Sequence, residues 1–287
     1  HRSTVASLQT ELSNGSLISR LKEQFRYRVG HAPTKSEARS WENSLPAAAN
    51  ELVSAGLHNA EVLVEYFLPY SSKRVDLLII GTDPNTKKPS VIIWENKQWT
   101  VGEIVDKGDR LVSVSGRLSL HPQEQVKRYV EYLTDYNSMA ENDNLMISGL
   151  AYLHNASSEE VNRFRSSELA DLARYEMFSR DQSGALRDFL RSHISDENAA
   201  AAADAFLSAK IKPSKQLLDN VRDQIEGNDS FTLLDEQLVA FKLVSQSVDE
   251  SQSSNTKKVI IVKGGPGTGK SLIATHVIAD LAKKGYS

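Results

Sequence analysis

Three charged side chains on two neighbouring apolar runs are the residues of this sequence best suited to do chemistry. They are Asp76 in "RVDLLIIG" and Glu95 with Lys97 in "SVIIWENK". Side chains alternate along an extended strand, so Val91, Ile93, Glu95 and Lys97 share one face while Ile92 and Trp94 take the other. If the two runs pair as a hairpin around "DPNTKKP", Asp76 comes to the same face as Glu95 and Lys97. Two carboxylates and one lysine around a point suit metal-assisted phosphodiester hydrolysis. Mg²⁺ or Mn²⁺ prefers carboxylate oxygens and activates water, and a lysine stabilises charge building on the phosphate. An isolated Glu-x-Lys is more often a solvated strand end. Here the charges interrupt runs apolar enough to be buried on both faces, which asks for a reason.

A second stretch, "VIIVKGGPGTGKS", fits the phosphate-loop pattern G-x-x-x-x-G-K-[ST] with Gly264, Gly269, Lys270 and Ser271. The intervening Gly265, Gly267 and Thr268 let backbone N–H groups approach a phosphate. Lys270 would reach the β- and γ-phosphates, and Ser271 would ligate Mg²⁺. A strand, "KKVIIVK", is expected before the loop and a helix, "LIATHVIADLAKK", after it. Upstream, "FTLLDEQLVAF" carries Gln237.

The elements that must position these groups follow from periodicity. The first 30 or so residues show no clear period until "SLISRLKEQFRYRV". Ser40 to Leu57 reads as a helix with Leu45, Ala48, Ala49, Leu52 and Val53 on its apolar face. "EVLVEYFLPY" and "LMISGLAYLHN" read as strands flanking the hairpin and a helix, "HPQEQVKRYVEYLTDY". Pro122 suits the first turn of that helix, and Val126, Tyr129, Val130 and Leu133 repeat at helical spacing. Amphipathic helices are expected at "SKQLLDNVRDQIEG" and "LLDEQLVAFKLVSQSV". The expected division places one domain at 1–200, a connecting helical segment at 201–229 and a phosphate-loop segment at 230–287.

Composition narrows the classes. The 287 residues carry a net charge of -3, which neither supports nor excludes a nucleic-acid partner. There is no cysteine, so disulfides and thiolate metal sites are excluded, and the seven histidines lack zinc-helix spacing. No apolar run approaches the ~18 residues of a membrane span. A start without Met or an apolar signal core reads as a cytoplasmic protein trimmed at its N-terminus.

Asp76 with Glu95-x-Lys97 resembles the motif of the PD-(D/E)xK nuclease superfamily, with Val75 where a proline usually stands. Gln125 and Tyr129, four apart on one helix face, resemble the Gln-x-x-x-Tyr signature of its RecB-like members. Glu51 resembles the superfamily's helix-borne acidic residue, and Glu65 competes for that role. Gln237 stands where superfamily-one helicases carry an adenine-reading glutamine. The order "LLDEQ" then "VIIVKGGPGTGKS" resembles the Schlafen group 3-like DNA/RNA helicases, whose members can carry an N-terminal nuclease domain.

The resemblance implies an α/β, restriction-endonuclease-like mixed sheet flanked by helices, followed by a truncated P-loop NTPase segment. It implies a Mg²⁺-dependent (or Mn²⁺-dependent) nuclease with Asp76, Glu95 and Glu51 as metal ligands and Lys97, Gln125 and Tyr129 completing the site. DNA is the expected partner ahead of RNA, in nucleic-acid processing or phage defence, and ATP is the cofactor of the full-length protein. The motifs that complete an ATPase are not found before Ser287, so ATPase or helicase activity is not expected of this chain. Two other readings stay open: a catalytically inactive nucleic-acid-binding module, and an ATP-binding helicase fragment without nuclease activity.

Overall fold

The computed structural model describes residues 1–69, 71, 73–99, 104–106, 110–162, 172–211, 232–265 and 267–284. The helix expected at "SKQLLDNVRDQIEG" lies outside them.

Its organising unit is a mixed six-stranded sheet. The strands are β1 (Arg2–Thr4), β2 (Glu61–Phe67), β3 (Arg74–Thr82), β4 (Pro89–Lys97), β8 (Met146–Leu153) and β9 (Glu176–Ser179), in that spatial order. β1 to β4 are antiparallel neighbours, and β8 and β9 add in parallel beyond β4. The expected hairpin forms with Leu77 opposite Trp94 and Thr82 opposite Pro89. Asp83 closes its turn, accepting from the backbone N–H groups of Asn85 at 3.1 Å and Thr86 at 2.6 Å.

Alternation along β3 and β4 sorts side chains onto two faces, and each face gains its own core. Leu78, Ile80, Val91 and Ile93 pack with Val126, Tyr129, Val130 and Leu133 of α4 (Pro122–Tyr136) and with Ala202, Ala203 and Phe206 of the later helix Ala199–Ser208. Leu77, Ile79, Ile92 and Trp94 pack instead against α1 (Val5–Ser13) and α3 (Lys35–Ser54), and against Leu186 and Leu190 of the helix Ser183–His193. α2 (Ser16–Val29) adds Leu17, Leu21 and Phe25 to the same face. α4 sits so close to β8 that a Cβ on Gly149 would lie 2.4 Å from Val126 Cγ1.

Three expectations shift. α3 begins at Lys35, five residues before Ser40, because Thr34 and Glu37 form a reciprocal capping box. The early stretch with no evident period folds as β1 and α1, because Val5 and Leu8 are drawn into the second core. The domain division expected at 200/201 falls inside the helix Ala199–Ser208, whose buried Ala202, Ala203 and Phe206 attach it to the sheet. Counting in chain order, with α5 at Ser158–Asn162, the helices at 183–193 and 199–208 are α6 and α7.

A second sheet of β5 (Ile104–Asp106), β6 (Leu111–Val114) and β7 (Arg117–Leu120) contributes Leu111 and Leu120 to a small third cluster. That cluster includes Leu233, with Leu238 of α8 (Glu236–Ser254) and Ile273 of α9 (Lys270–Lys283). The helix after the glycine loop is therefore present. The strand before it is not: residues 257–263 are unpaired coil, with Val259 90% and Ile261 73% exposed. A strand exists by pairing, and among the described residues none pairs with this run.

Candidate active site

The site begins at the end of the hairpin. Leu77 faces Trp94, so one step further along the register sets Asp76 opposite Glu95. Val64 with Leu77 and Tyr66 with Val75 bracket the pair across β2 and β3, which sets Glu65 opposite Asp76. Three carboxylates thus form a row across β2, β3 and β4. Two apolar cores hold these strands on either side, and Glu95 is only 5% exposed.

Lys97 and α4 complete the arrangement. Lys97 Nζ donates to Glu95 Oε1 at 2.9 Å and to Gln125 Oε1 at 2.7 Å. The Gln125 amide nitrogen in turn donates to Glu95 Oε1 and to Tyr129 Oη, both at 3.0 Å. The Tyr129 hydroxyl donates to Asp235 Oδ2 at 2.7 Å. On the other side, Asp76 Oδ2 accepts from the Asn96 backbone N–H at 2.8 Å, and the Trp99 ring lies 5.2 Å from Lys97 Nζ.

Glu65 is fixed differently. Its φ of 53° is left-handed, which a β-strand residue adopts only under constraint, and such strain costs about 1–3 kcal/mol. The constraint is visible: Trp41 Nε1 donates to Glu65 Oε1 at 2.8 Å and Arg74 Nη1 pairs with Oε2 at 2.7 Å. Arg74 also donates to Glu37 at 2.8 Å.

Burying several carboxylates together raises their affinity for protons. Burial, then the neighbouring Glu65, pushes Asp76 up to about 7 despite the nearby Lys97. Burial, then Asp76, pushes Glu95 up to about 8. Burial opposes the charged form of Lys97, but the Glu95 and Asp76 carboxylates outweigh it and hold its pKa above the usual lysine value. Burial and the charge of Asp235 raise the Tyr129 phenol well above the ordinary range, so it stays a donor.

Two atoms in this network are unsatisfied. Among the described residues, Glu95 Oε2 and Asp235 Oδ1 are buried without a hydrogen-bond partner. A buried carboxylate oxygen without a donor costs about 1–3 kcal/mol or more, a deficit that a cation would relieve. Among the described residues, no three His, Asp or Glu side chains converge at metal-ligand spacing. The donor set still fits Mg²⁺ or Mn²⁺, because such ions are commonly held by one or two carboxylates, with water and substrate oxygens completing the shell. Asp76 and Glu95 are the residues that fit.

The fold therefore brings together Asp76, Glu95, Lys97, Gln125 and Tyr129. It does not bring Glu51. That residue lies on α3, against the opposite face of the sheet, where its carboxylate accepts from Ser183 Oγ at 2.9 Å and Arg187 Nε at 2.8 Å. Its metal-ligand assignment is corrected: of the two acidic candidates, Glu65 is the one whose charge acts on Asp76, although its carboxylate is also held by Trp41 of α3. The sequence also gave no hint of Asp235, which reaches Tyr129 across 106 positions, nor of Lys73, 3.6 Å from Asp235 and paired with Glu236. The Asp-Glu pair at the head of an amphipathic helix was the available signal, and it reads as an ordinary helix start.

The glycine loop is formed from backbone. Gly267 and Gly269 have φ of 74° and 82°, left-handed values that glycine adopts without strain. Lys270 Nζ donates to the carbonyls of Gly264 at 2.9 Å and Gly265 at 2.6 Å, so the ammonium is folded into its own loop. Ser271 begins the α9 turn that follows Lys270. Gln237 Nε2 donates to the Thr268 carbonyl at 3.1 Å, which places the upstream glutamine beside the loop.

Comparison of the chain with protein-family models, with curated proteins and with solved structures gives no match in any of the three.

Proposed function

We propose that this chain is a metal-dependent nuclease of the PD-(D/E)xK type that hydrolyses phosphodiester bonds of DNA, or of RNA. The observation that carries the reading is the unpartnered, buried Glu95 Oε2 beside Asp76, with Lys97 clamped between Glu95 and Gln125. Asp76 and Glu95 would hold Mg²⁺ or Mn²⁺. When bound, such an ion polarises a phosphate oxygen and lowers the pKa of a coordinated water.

The remaining work belongs to the chain. Lys97 keeps its charge while largely buried, where an ammonium stabilises the oxyanion character of the transition state far better than in water. Gln125 fixes the direction of Lys97 by accepting a hydrogen bond from its ammonium, and Tyr129 fixes Gln125. The reaction class is direct hydrolysis by water, without a covalent enzyme intermediate. No described helix is long and apolar enough to cross a membrane, and a cytoplasmic location fits the cysteine-free sequence.

Calorimetric titration with Mn²⁺ tests the site directly. Heat of binding that disappears in Asp76→Asn is expected, together with cleavage of single- or double-stranded substrate only when metal is present. Metal-independent cleavage would overturn the assignment, and absence of both heat and cleavage would favour a binding module instead.

A second reading concerns residues 264–271, which we take as a nucleotide-binding loop at the start of a P-loop helicase segment. Gln237 held against Thr268, and α9 rising directly from Lys270, favour it. Binding of MgADP, measured by calorimetry and lost in Lys270→Ala, is the corresponding test.

A further inference from the structure

The carboxylate site and the glycine loop are joined by one short segment. Leu234 is buried in the core on the α4 face of the large sheet, while its neighbour Leu233 and Leu238 belong to the cluster with Ile273 of α9. Between them, Asp235 bonds Tyr129 and Gln237 bonds Thr268. A single residue, Glu236, separates a side chain in one site from a side chain against the other.

The segment is stiff. Gln237 Oε1 accepts from the Leu234 N–H at 3.2 Å, the Gln237 N–H donates to the Leu234 carbonyl at 2.8 Å, and the same side-chain amide reaches Thr268 with its nitrogen. A displacement of Thr268 is therefore passed through one amide group to the backbone that carries Asp235. Asp235 itself is held with φ 42° and ψ -113°, a conformation costly for a residue with a side chain. Among the described residues its Oδ1 is buried without a hydrogen-bond partner, which adds to the cost of this arrangement.

A ligand at the loop has reason to move Thr268. Lys270 now spends its hydrogen bonds on Gly264 and Gly265, and a phosphate entering the loop competes for that ammonium. Gln237 also crowds the loop: a Cβ on Gly269 would lie 2.4 Å from Gln237 Nε2. Gly267 lines a cleft of about 1050 Å³ that also takes in Glu65 and Arg74, so the loop and the outermost carboxylate border one space.

We infer that Asp235 is a positioning residue for the carboxylate and lysine site, acting through Tyr129 and Gln125, and that a nucleotide in the 264–271 loop changes that positioning through Gln237. The inference rests on the reading of 264–271 as a nucleotide-binding loop and of Asp76, Glu95 and Lys97 as the nuclease site. Coupling of this kind is a free energy shared between two sites and works in both directions.

Hydrogen exchange of the whole chain with and without MgADP tests it, without using cleavage. We expect protection at 264–275 and, in the first two turns of α4 around Gln125 and Tyr129, a change in exchange of about fivefold or more, the low end of ordinary site-to-site coupling. In Asp235→Ala and in Tyr129→Phe the response in α4 should vanish while protection at 264–275 persists. Protection at 264–275 with α4 unmoved in the parent chain overturns the coupling, as does an α4 response that survives both variants. No protection anywhere overturns it too, by removing the loop reading on which it stands. Loss of metal binding or cleavage in other assays speaks to the nuclease reading and leaves this outcome legible.

Discussion

The carboxylate row and the glycine loop are held by different means. Asp76, Glu95 and Lys97 stand on strands whose neighbours on both faces are fully buried, and each reaches its place through side-chain packing and side-chain hydrogen bonds. The loop stands on backbone: left-handed glycines, a lysine turned onto its own carbonyls, and a preceding apolar run that lies exposed. A site made by side chains on a finished sheet is rigid before any ligand arrives, which favours charge stabilisation without reorganisation. A site made by backbone N–H groups needs its neighbouring strand for the same rigidity. The first region is therefore the one whose chemistry this chain can be asked to perform alone.

That contrast breaks most sharply at Lys97. Lys97→Ala removes the donor between Glu95 and Gln125, and we expect cleavage to fall about 10²–10³-fold, the effect of removing one preorganised group that meets developing charge. Lys97→Arg should recover little, because a planar guanidinium does not replace the compact ammonium between two oxygens. Single-turnover assays in Mn²⁺ check both. Unchanged rates would place the chemistry elsewhere on the sheet.

The rigidity itself can be attacked from behind. In Gly149→Ala the new methyl would meet Val126 Cγ1 at 2.4 Å and Val130 Cγ2 at 3.0 Å, pushing α4 off β8. Overpacking of this kind costs about 1–3 kcal/mol, to be read as a lower urea midpoint. Because Gln125 is one residue from Val126, Mn²⁺ binding and cleavage should weaken with stability. If stability falls and cleavage does not, the seat of α4 is irrelevant to the site.

Protons offer a gentler lever. The Asp76 and Glu95 pKa values are raised in the folded chain, to about 7 and about 8, so the native state holds protons that the unfolded chain has released. Stability from these two groups is present at pH below the ordinary carboxylate range and is lost as pH rises toward 8. Metal-free protein should therefore melt at a lower temperature at pH 8.5 than at pH 6. If Mn²⁺ takes the place of those protons, it should raise the melting temperature more at pH 8.5 than at pH 6. A metal-free melting temperature that is flat between the two pH values would mean that the carboxylates are not protonated as a buried pair.

How much of this was readable beforehand follows the range of each interaction. The hairpin and the shared face of Asp76, Glu95 and Lys97 were legible because strand alternation and a turn signal are local. Gln125 and Tyr129 were legible as one helix face. The distinction between Glu51 and Glu65 was not, because it depends on distant partners, Ser183 and Arg187 for Glu51 and Asp76 for Glu65, and no local pattern encodes those. Asp235 was hidden for the same reason: its partner Tyr129 is distant in sequence, and an acidic residue opening a helix has an adequate local explanation. The strand expected at 257–263 shows the opposite failure. Its β-branched content is a true local preference, but pairing is a tertiary event, and propensity without a neighbour leaves coil.

Glu51 supplies the smallest effect and the clearest separation of the two faces. Its carboxylate is enclosed by Ser183 and Arg187, so Glu51→Gln keeps an acceptor for the serine and removes only the charge that faces the guanidinium. Arg187 retains access to water, with 34% of its side chain exposed, and the loss in stability should be about 1 kcal/mol or less. Cleavage and Mn²⁺ affinity should stay at the parent values. Glu65→Gln should behave otherwise, because Glu65 lies opposite Asp76 and its charge helps to hold the Asp76 pKa up. With that charge removed, Asp76 ionises more readily and Mn²⁺ binding at pH 6 should tighten. If Glu51→Gln abolished metal binding and Glu65→Gln left it untouched, the acidic helix residue would belong to the site after all, and Ser183 and Arg187 would have to be its neighbours there.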